Sequence, residues 1–190
     1  MAEPDLQPSL VGPTLTVRPL KSSDWRGLFT AAADPKVWEQ HPSSDRYQEP
    51  VFRAYFDGAI ATQSAFVFVD NITEKIVGSS RYHGLVTHSS NSESEKQTEI
   101  EIGWTFIARS HWGGAANLEV KTLMLDHAFG FVDTVVFWVG ETNLRSRGAM
   151  EKIGGKLRDG THYRELAGDA PHVIFEICHA DWAQRNAVKA

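Results

Sequence analysis

The chain has 190 residues, 42% of them apolar, and a formal net charge of −5. That length can bury a core, and the composition excludes disorder over the whole chain. The charge gives no global positive field for nucleic acid, no apolar run reaches bilayer length, and the polar amino terminus has no signal-peptide core. The single cysteine, Cys178, excludes an internal disulfide and fits a reducing compartment, so the expected location is the cytoplasm.

Residues 1–13 carry three prolines and read as a loose arm, leaving 14–190 as one domain. Leu15 to Leu20 is a predicted strand. Ser22-Ser23-Asp24 opens a helix that reaches about Ala33, where Asp34-Pro35 breaks it. A second helix is expected from Glu49 to Gln63, with Pro50 in its first turn. Ala65 to Val69 and Ile76 to Leu85 read as a strand pair across the turn Asp70-Asn71-Ile72-Thr73. Thr87 to Lys96 is Ser-rich and polar and reads as a mobile loop. A strand over 97–107, a helix over 115–131, a strand over 134–139 and a helix over 144–153 follow. Strands near 156–162 and 171–178 close the chain. Strands first, then strands alternating with helices, fit an α+β fold with a mixed central sheet.

Chemistry concentrates on two segments. In Gln97-Thr98-Glu99-Ile100-Glu101-Ile102-Gly103, strand alternation puts Glu99 and Glu101 on one face, about 7 Å apart. Gly103 suggests a bulge or a close backbone approach. Then Arg109-Ser110-His111-Trp112-Gly113-Gly114-Ala115-Ala116 joins this strand to a helix. A strand, a small-residue turn and a helix start leave backbone N–H groups unpaired, and small residues let an anion approach them. The three-glycine dinucleotide pattern and the Gly-Lys-Ser/Thr triphosphate loop are both absent. What remains is a pyrophosphate held by backbone. No metal spacing links the eight histidines, and no G-x-S-x-G elbow is present.

Ser110-His111-Trp112-Gly113-Gly114-Ala115 resembles the last half of the cofactor loop of the GNAT superfamily of acyl-CoA-dependent N-acetyltransferases, Q/R-x-x-G-x-G/A. Ser110 departs from it, with Arg109 one place early. Trp112-Gly113 followed by a helix with Glu119 resembles the ribosomal-protein N-acetyltransferase branch. The run Thr134–Val139 followed by Asn143 to Gly155 resembles the family's second cofactor segment, strand-N-x-x-S-helix-K-x-G. The resemblance extends from Leu15 to the closing strand and Trp182.

It implies a single-domain acyl-CoA N-acyltransferase fold, its sheet splayed open beside the fourth strand, with helices on both faces. It also implies acetyl-CoA as co-substrate and no metal. Cofactor contacts would come from Trp104, Thr105, Phe106, Arg109, Trp112, Gly113, Gly114, Ala115, Ala116, Asn143, Ser146 and Arg147. The family's base glutamate matches Glu101 best, with Glu99 the alternative. A carboxylate there, directly or through water, takes the proton of an amine that attacks the thioester. The family's tyrosine acid is replaced by Met150. Ser146 resembles the residue that bonds the cofactor sulfur in the ribosomal-protein branch.

The expected activity is transfer of acetyl from acetyl-CoA to a primary amine. The alternatives are a catalytically silent acyl-CoA-binding module and, unrelated, a small α+β hydrolase. The acceptor is open between small molecules and protein amino termini. Nucleic acid and membrane are not expected partners, and the chain would be a monomer or homodimer. Trp38, His41, Tyr47, Phe52, Tyr55, Phe56 and Tyr163 lie where the family sets acceptor choice.

Overall fold

Alternating apolar side chains build one sheet between two helical layers. The computed structural model describes residues 4–89, 96–163 and 170–187. Its strands are β1 (Leu10–Val11), β2 (Leu15–Pro19), β3 (Ala65–Asp70), β4 (Ile76–Ser89), β5 (Lys96–Ile107), β6 (Thr134–Gly140), β7 (Lys156–Leu157), β8 (His162–Tyr163) and β9 (Pro171–Cys178). The helices are α1 (Trp25–Ala32), α2 (Glu49–Ala61), α3 (Ala116–Ala128), α4 (Leu144–Lys152) and α5 (His179–Ala187). The sheet order is β1-β2-β3-β4-β5-β6-β9-β7, with β8 also on β9. All pairs are antiparallel except β5 with β6.

β3 shows how the two layers form. Phe66 and Phe68 join a core with Val120, Met124 and Leu125 of α3, whereas Ala65 and Val67 join Leu28 of α1 and Phe52 and Phe56 of α2. The period of two sends successive side chains to opposite faces, so both faces need helices. Trp38, Phe52, Tyr55 and Phe56, weighed above as acceptor-site aromatics, are all buried in the second core, while Tyr47 and Tyr163 are exposed.

Three boundaries differ from expectation. β4 runs to Ser89 and β5 starts at Lys96, so both ends of the expected Thr87–Lys96 loop belong to strands; residues 90–95 lie outside the described residues. The ladder between Thr87 and Thr98 holds this polar stretch, where side-chain composition alone reads as loop. The proline-rich segment carries β1, which pairs with β2, and Leu6 and Leu10 pack against the core. Gly12 sits tightly there, its missing Cβ position 3.0 Å from Leu15 O. The expected strand near 156–162 is two short pieces, both paired with β9. Among the described residues no helix is long and apolar enough to cross a membrane.

β5 and β6 pair only through Glu99–Thr134, Ile100–Val135 and Glu101–Val136. Beyond Glu101 the two strands part, and the rest of β6 pairs with β9 alone. Counting from β2, the first long strand, β5 is the fourth, so the sheet opens beside the strand expected.

Candidate functional site

The opening depends on a bulge. Between Ser79–Phe106 and Arg81–Gly103, β4 advances two residues and β5 three. The extra residue bends the strand away from its neighbour. Trp104 takes the left-handed conformation there, with φ 53°, a strained state for a large side chain. Tyr55 Oη donates to Trp104 O at 3.0 Å, and the Arg81 guanidinium lies 3.8 Å from the Trp104 ring centre. Gly103 was expected to mark a bulge or a close backbone approach. It stands at the bulge, but its own role is to give room: a Cβ there would meet Glu101 Oε1 at 2.4 Å.

A cleft of about 670 Å³ fills the gap. Thr105, Phe106 and Ile107 of β5 form one wall. Trp112 to Ala115 and the start of α3 form its end, and Asn143, Arg145, Ser146, Gly148, Ala149 and Lys152 form the other wall. A second chamber of about 120 Å³ continues inward; it shares His41, Thr105, Asn117, Asn143, Ser146 and Ala149 with the cleft and adds Gly103, Trp104, Lys121, Met150 and His172.

The turn before α3 suits an anion. Gly113 has φ +74°, and a Cβ on Gly113 or Gly114 would meet nothing within 4 Å, so the backbone is bare toward the cleft. Ala115 caps α3 with no side-chain hydrogen bond. The first-turn N–H groups are therefore left for water or a ligand, at the positive end of the helix dipole. Glu119, the acidic residue of that turn, does not oppose this field. Its carboxylate accepts from Thr14 N, Leu15 N and Thr14 Oγ1 and so ties α3 to β2. Burial raises its pKa, but those three bonds outweigh it, and the net shift is downward.

The opposite wall begins with Asn143, whose Oδ1 accepts from Ser146 N at 3.1 Å and caps α4. The Arg145 guanidinium lies over Trp112, 4.2 Å from the ring centre, and donates to Val37 O, which joins the two walls. Trp112 itself donates to Ile107 O at 2.8 Å. His41, in the roof, has its pKa lowered to about 3 by burial and then by Arg46, His172 and Arg145, so it is neutral at pH 7.

The structure thus gathers Thr105, Phe106, Trp112, Gly113, Gly114, Ala115, Asn143 and Ser146 around one cleft, with Trp104 in the inner chamber. Three of the expected residues stand outside it. Arg109 pairs with Asp34 at 2.7 Å, Arg147 donates to Glu141 O, and Ala116 is buried in the core. The two glutamates also part company. Glu99 pairs with Arg158 at 2.5 Å, and Arg158 also pairs with Glu176. Glu101 is 4% exposed and lies behind Gly103, which lines the chamber.

Lys121 is the residue that the sequence reading passed over. It is 2% exposed, yet it lines the inner chamber. The signal was there: Lys121, Met124, Leu125 and Ala128 form one helical stripe, and a lysine on an apolar stripe is out of place.

A family model described as acetyltransferase (GNAT) domain matches residues 14–156. No curated protein matches the chain. Among solved structures, a probable GNAT-family acetyltransferase from Chromobacterium violaceum is similar, with TM-score 0.76, 18% identity, and coverage of 95% of this chain and 90% of that one. A GCN5-related N-acetyltransferase from Brucella melitensis matches with TM-score 0.74 and 16% identity over 93% of this chain and 81% of that one. Mycobacterium smegmatis RimJ in complex with CoA-disulfide matches with TM-score 0.66 and 17% identity over 96% and 93%.

Proposed function

As the chain belongs to the GNAT acetyltransferase family, whose members transfer acyl groups from acyl-CoA, we propose that it acetylates a primary amine by direct attack, with Glu101 as the base. The observation that carries this reading is the parting of β5 from β6 immediately after Glu101. The parting leaves a cleft with a bare helix N-terminus at its outer end, and at its inner end Gly103, behind which the buried Glu101 lies.

The residues fit acetyl-CoA as the acyl donor. Gly113, Gly114 and the uncapped start of α3 would take the pyrophosphate. The edge of β5 beyond Glu101, which no β6 ladder covers, would take the pantetheine arm. The thioester would then lie where cleft and chamber meet, beside Thr105, Asn117 and Ser146.

An aliphatic amine is protonated at neutral pH and attacks only when neutral. Glu101 Oε1 lies against the bare backbone of Gly103, which lines the chamber, and this supports a carboxylate that takes the amine's proton there, directly or through one water. Glu99 serves the fold instead, as one of two carboxylates on Arg158. Ser146 offers a hydroxyl to the sulfur from the first turn of α4.

The acceptor is a small-molecule amine or a protein amino terminus. Calorimetric binding of acetyl-CoA, beside thiol release with a panel of amines, amino acids and peptides, tests the reading. Binding with amine-dependent release is expected. Binding without release would favour the silent module, and no binding would defeat both.

A further inference from the structure

Lys121 reaches from α3 to the floor of the opening between β5 and β6. Its Nζ donates to Thr105 Oγ1 at 2.7 Å on β5 and lies 5.0 Å from the Phe137 ring centre on β6. The hydroxyl beyond it is also engaged. Thr105 Oγ1 lies 2.7 Å from Ser80 Oγ, and Ser80 Oγ donates to Gly103 O at 3.1 Å. A carbonyl can only accept, so the chain has one direction: Lys121 to Thr105 to Ser80 to Gly103. Lys121 therefore donates, and Thr105 fixes where its nitrogen stands. An ammonium has three donors. Among the described residues only Thr105 takes one of them, and Lys121 is one of the residues that line the chamber.

We propose that Lys121 is a catalytic residue that gives its proton to the sulfur of coenzyme A as the carbon–sulfur bond breaks. The inference rests on the acetyl-transfer reading above. The wall across the chamber offers the sulfur no acid of comparable strength: it carries Met150, Ala149 and the Ser146 hydroxyl. In the step, the acceptor ammonium first loses one proton to bulk water by way of Glu101; the neutral nitrogen then bonds to the acyl carbon and loses its second proton to Glu101. The electron pair of the carbon–sulfur bond goes to sulfur, which takes a proton from Nζ. Neutral Lys121 then regains a proton from Glu101, so nitrogen has lost two protons, one now in water and one made good on sulfur, and the enzyme is restored.

The acidity matches. Burial lowers the Lys121 pKa to about 7, against an opposing pull from Glu101. A thiol has a pKa near 8.5, so transfer from this ammonium to a thiolate runs downhill, which an exposed lysine near 10.4 would not do. The titratable groups around the same chamber are Glu101 on β5, His41 in the roof and His172 on β9. His41 stays neutral through the range concerned.

Three measurements test this, using the best acceptor from the amine panel. First, nitrogen-15 NMR of Lys121 in the free protein should show a titration midpoint near 7. A midpoint near 10.4 would overturn the proposal. Second, kcat should fall as pH rises through that midpoint, because the acid is lost. Lys121→Met should remove this alkaline limb and lower kcat at neutral pH by about 10²-fold or more. Acetyl-CoA affinity by calorimetry should stay within about twofold. A limb that persists would overturn the proposal, as would a normal kcat with a raised acceptor KM. Third, Thr105→Val keeps the ammonium but frees it from its hydroxyl. It should displace the alkaline limb, and it carries the test if Lys121→Met does not fold; an unmoved limb counts against Lys121. Failure of the wild type to bind acetyl-CoA would instead sink the acetyl-transfer reading and leave the NMR midpoint as found.

Discussion

Glu99 and Glu101 are two residues apart, point the same way from the strand, and differ in what they touch. Glu101→Gln keeps the size and removes the proton acceptor. Turnover at neutral pH should fall by about 10²–10⁴-fold, with acetyl-CoA affinity nearly unchanged and part of the rate recovered at higher pH. Steady-state kinetics beside calorimetry checks this, and wild-type turnover in the variant would remove Glu101 as base. Glu99→Gln breaks the pair with Arg158 and leaves kcat within about threefold. It should lower stability by about 1 kcal/mol, read from denaturant midpoints, because the pair is only partly buried. A strand pattern puts both carboxylates on one face. It cannot say that an arginine on a distant strand end claims one of them.

At the scale of elements, the turn before α3 and the cap of α4 make separate predictions. Gly114→Val adds a side chain into open space in the cleft, with no left-handed φ to strain. It should weaken acetyl-CoA binding by about tenfold or more while the melting temperature holds; unchanged affinity in the folded variant would show that the phosphates lie elsewhere. Gly113 is the poorer probe, since its φ of +74° makes any substitution strained as well as obstructive. Asn143→Ala should cost about 1 kcal/mol through the lost cap on Ser146 N, measured by thermal or denaturant unfolding. Both helix starts were legible in the sequence because caps and glycines act locally. The bulge was half legible. Gly103 marked its place, but the left-handed residue is Trp104, held by Tyr55 and Arg81 from other elements.

The whole molecule decides the state of its buried ionisable groups. His41 has a folded pKa of about 3 against an ordinary value near 6.5. Between these values the unfolded chain holds a proton that the folded chain does not, so stability rises with pH and falls as the pH drops from 6.5 toward 3. The slope from this one group approaches about 1.4 kcal/mol per pH unit in the middle of that window. Comparing the pH dependence of unfolding in wild type and His41→Gln measures it, and equal slopes would show that His41 is solvated. Lys121 reports the same physics in the same sense, an ammonium that burial drives toward neutrality as it does the His41 imidazolium.

By itself the sequence determined the order of the long elements, the two helix starts and the face that Glu99 and Glu101 share. Each follows from periodicity or from a cap within a few residues, and such interactions are set by local spacing. Only the tertiary structure decided which glutamate is tied to Arg158, that Arg109 and Arg147 find partners in Asp34 and Glu141 O, and that Lys121 is buried in the floor of the opening. The Lys121–Thr105, Glu99–Arg158 and Arg109–Asp34 contacts join residues 16 to 75 positions apart, and Arg147 reaches back six residues to Glu141 O. Ion pairing and desolvation act through space, and distance along the chain carries no record of them.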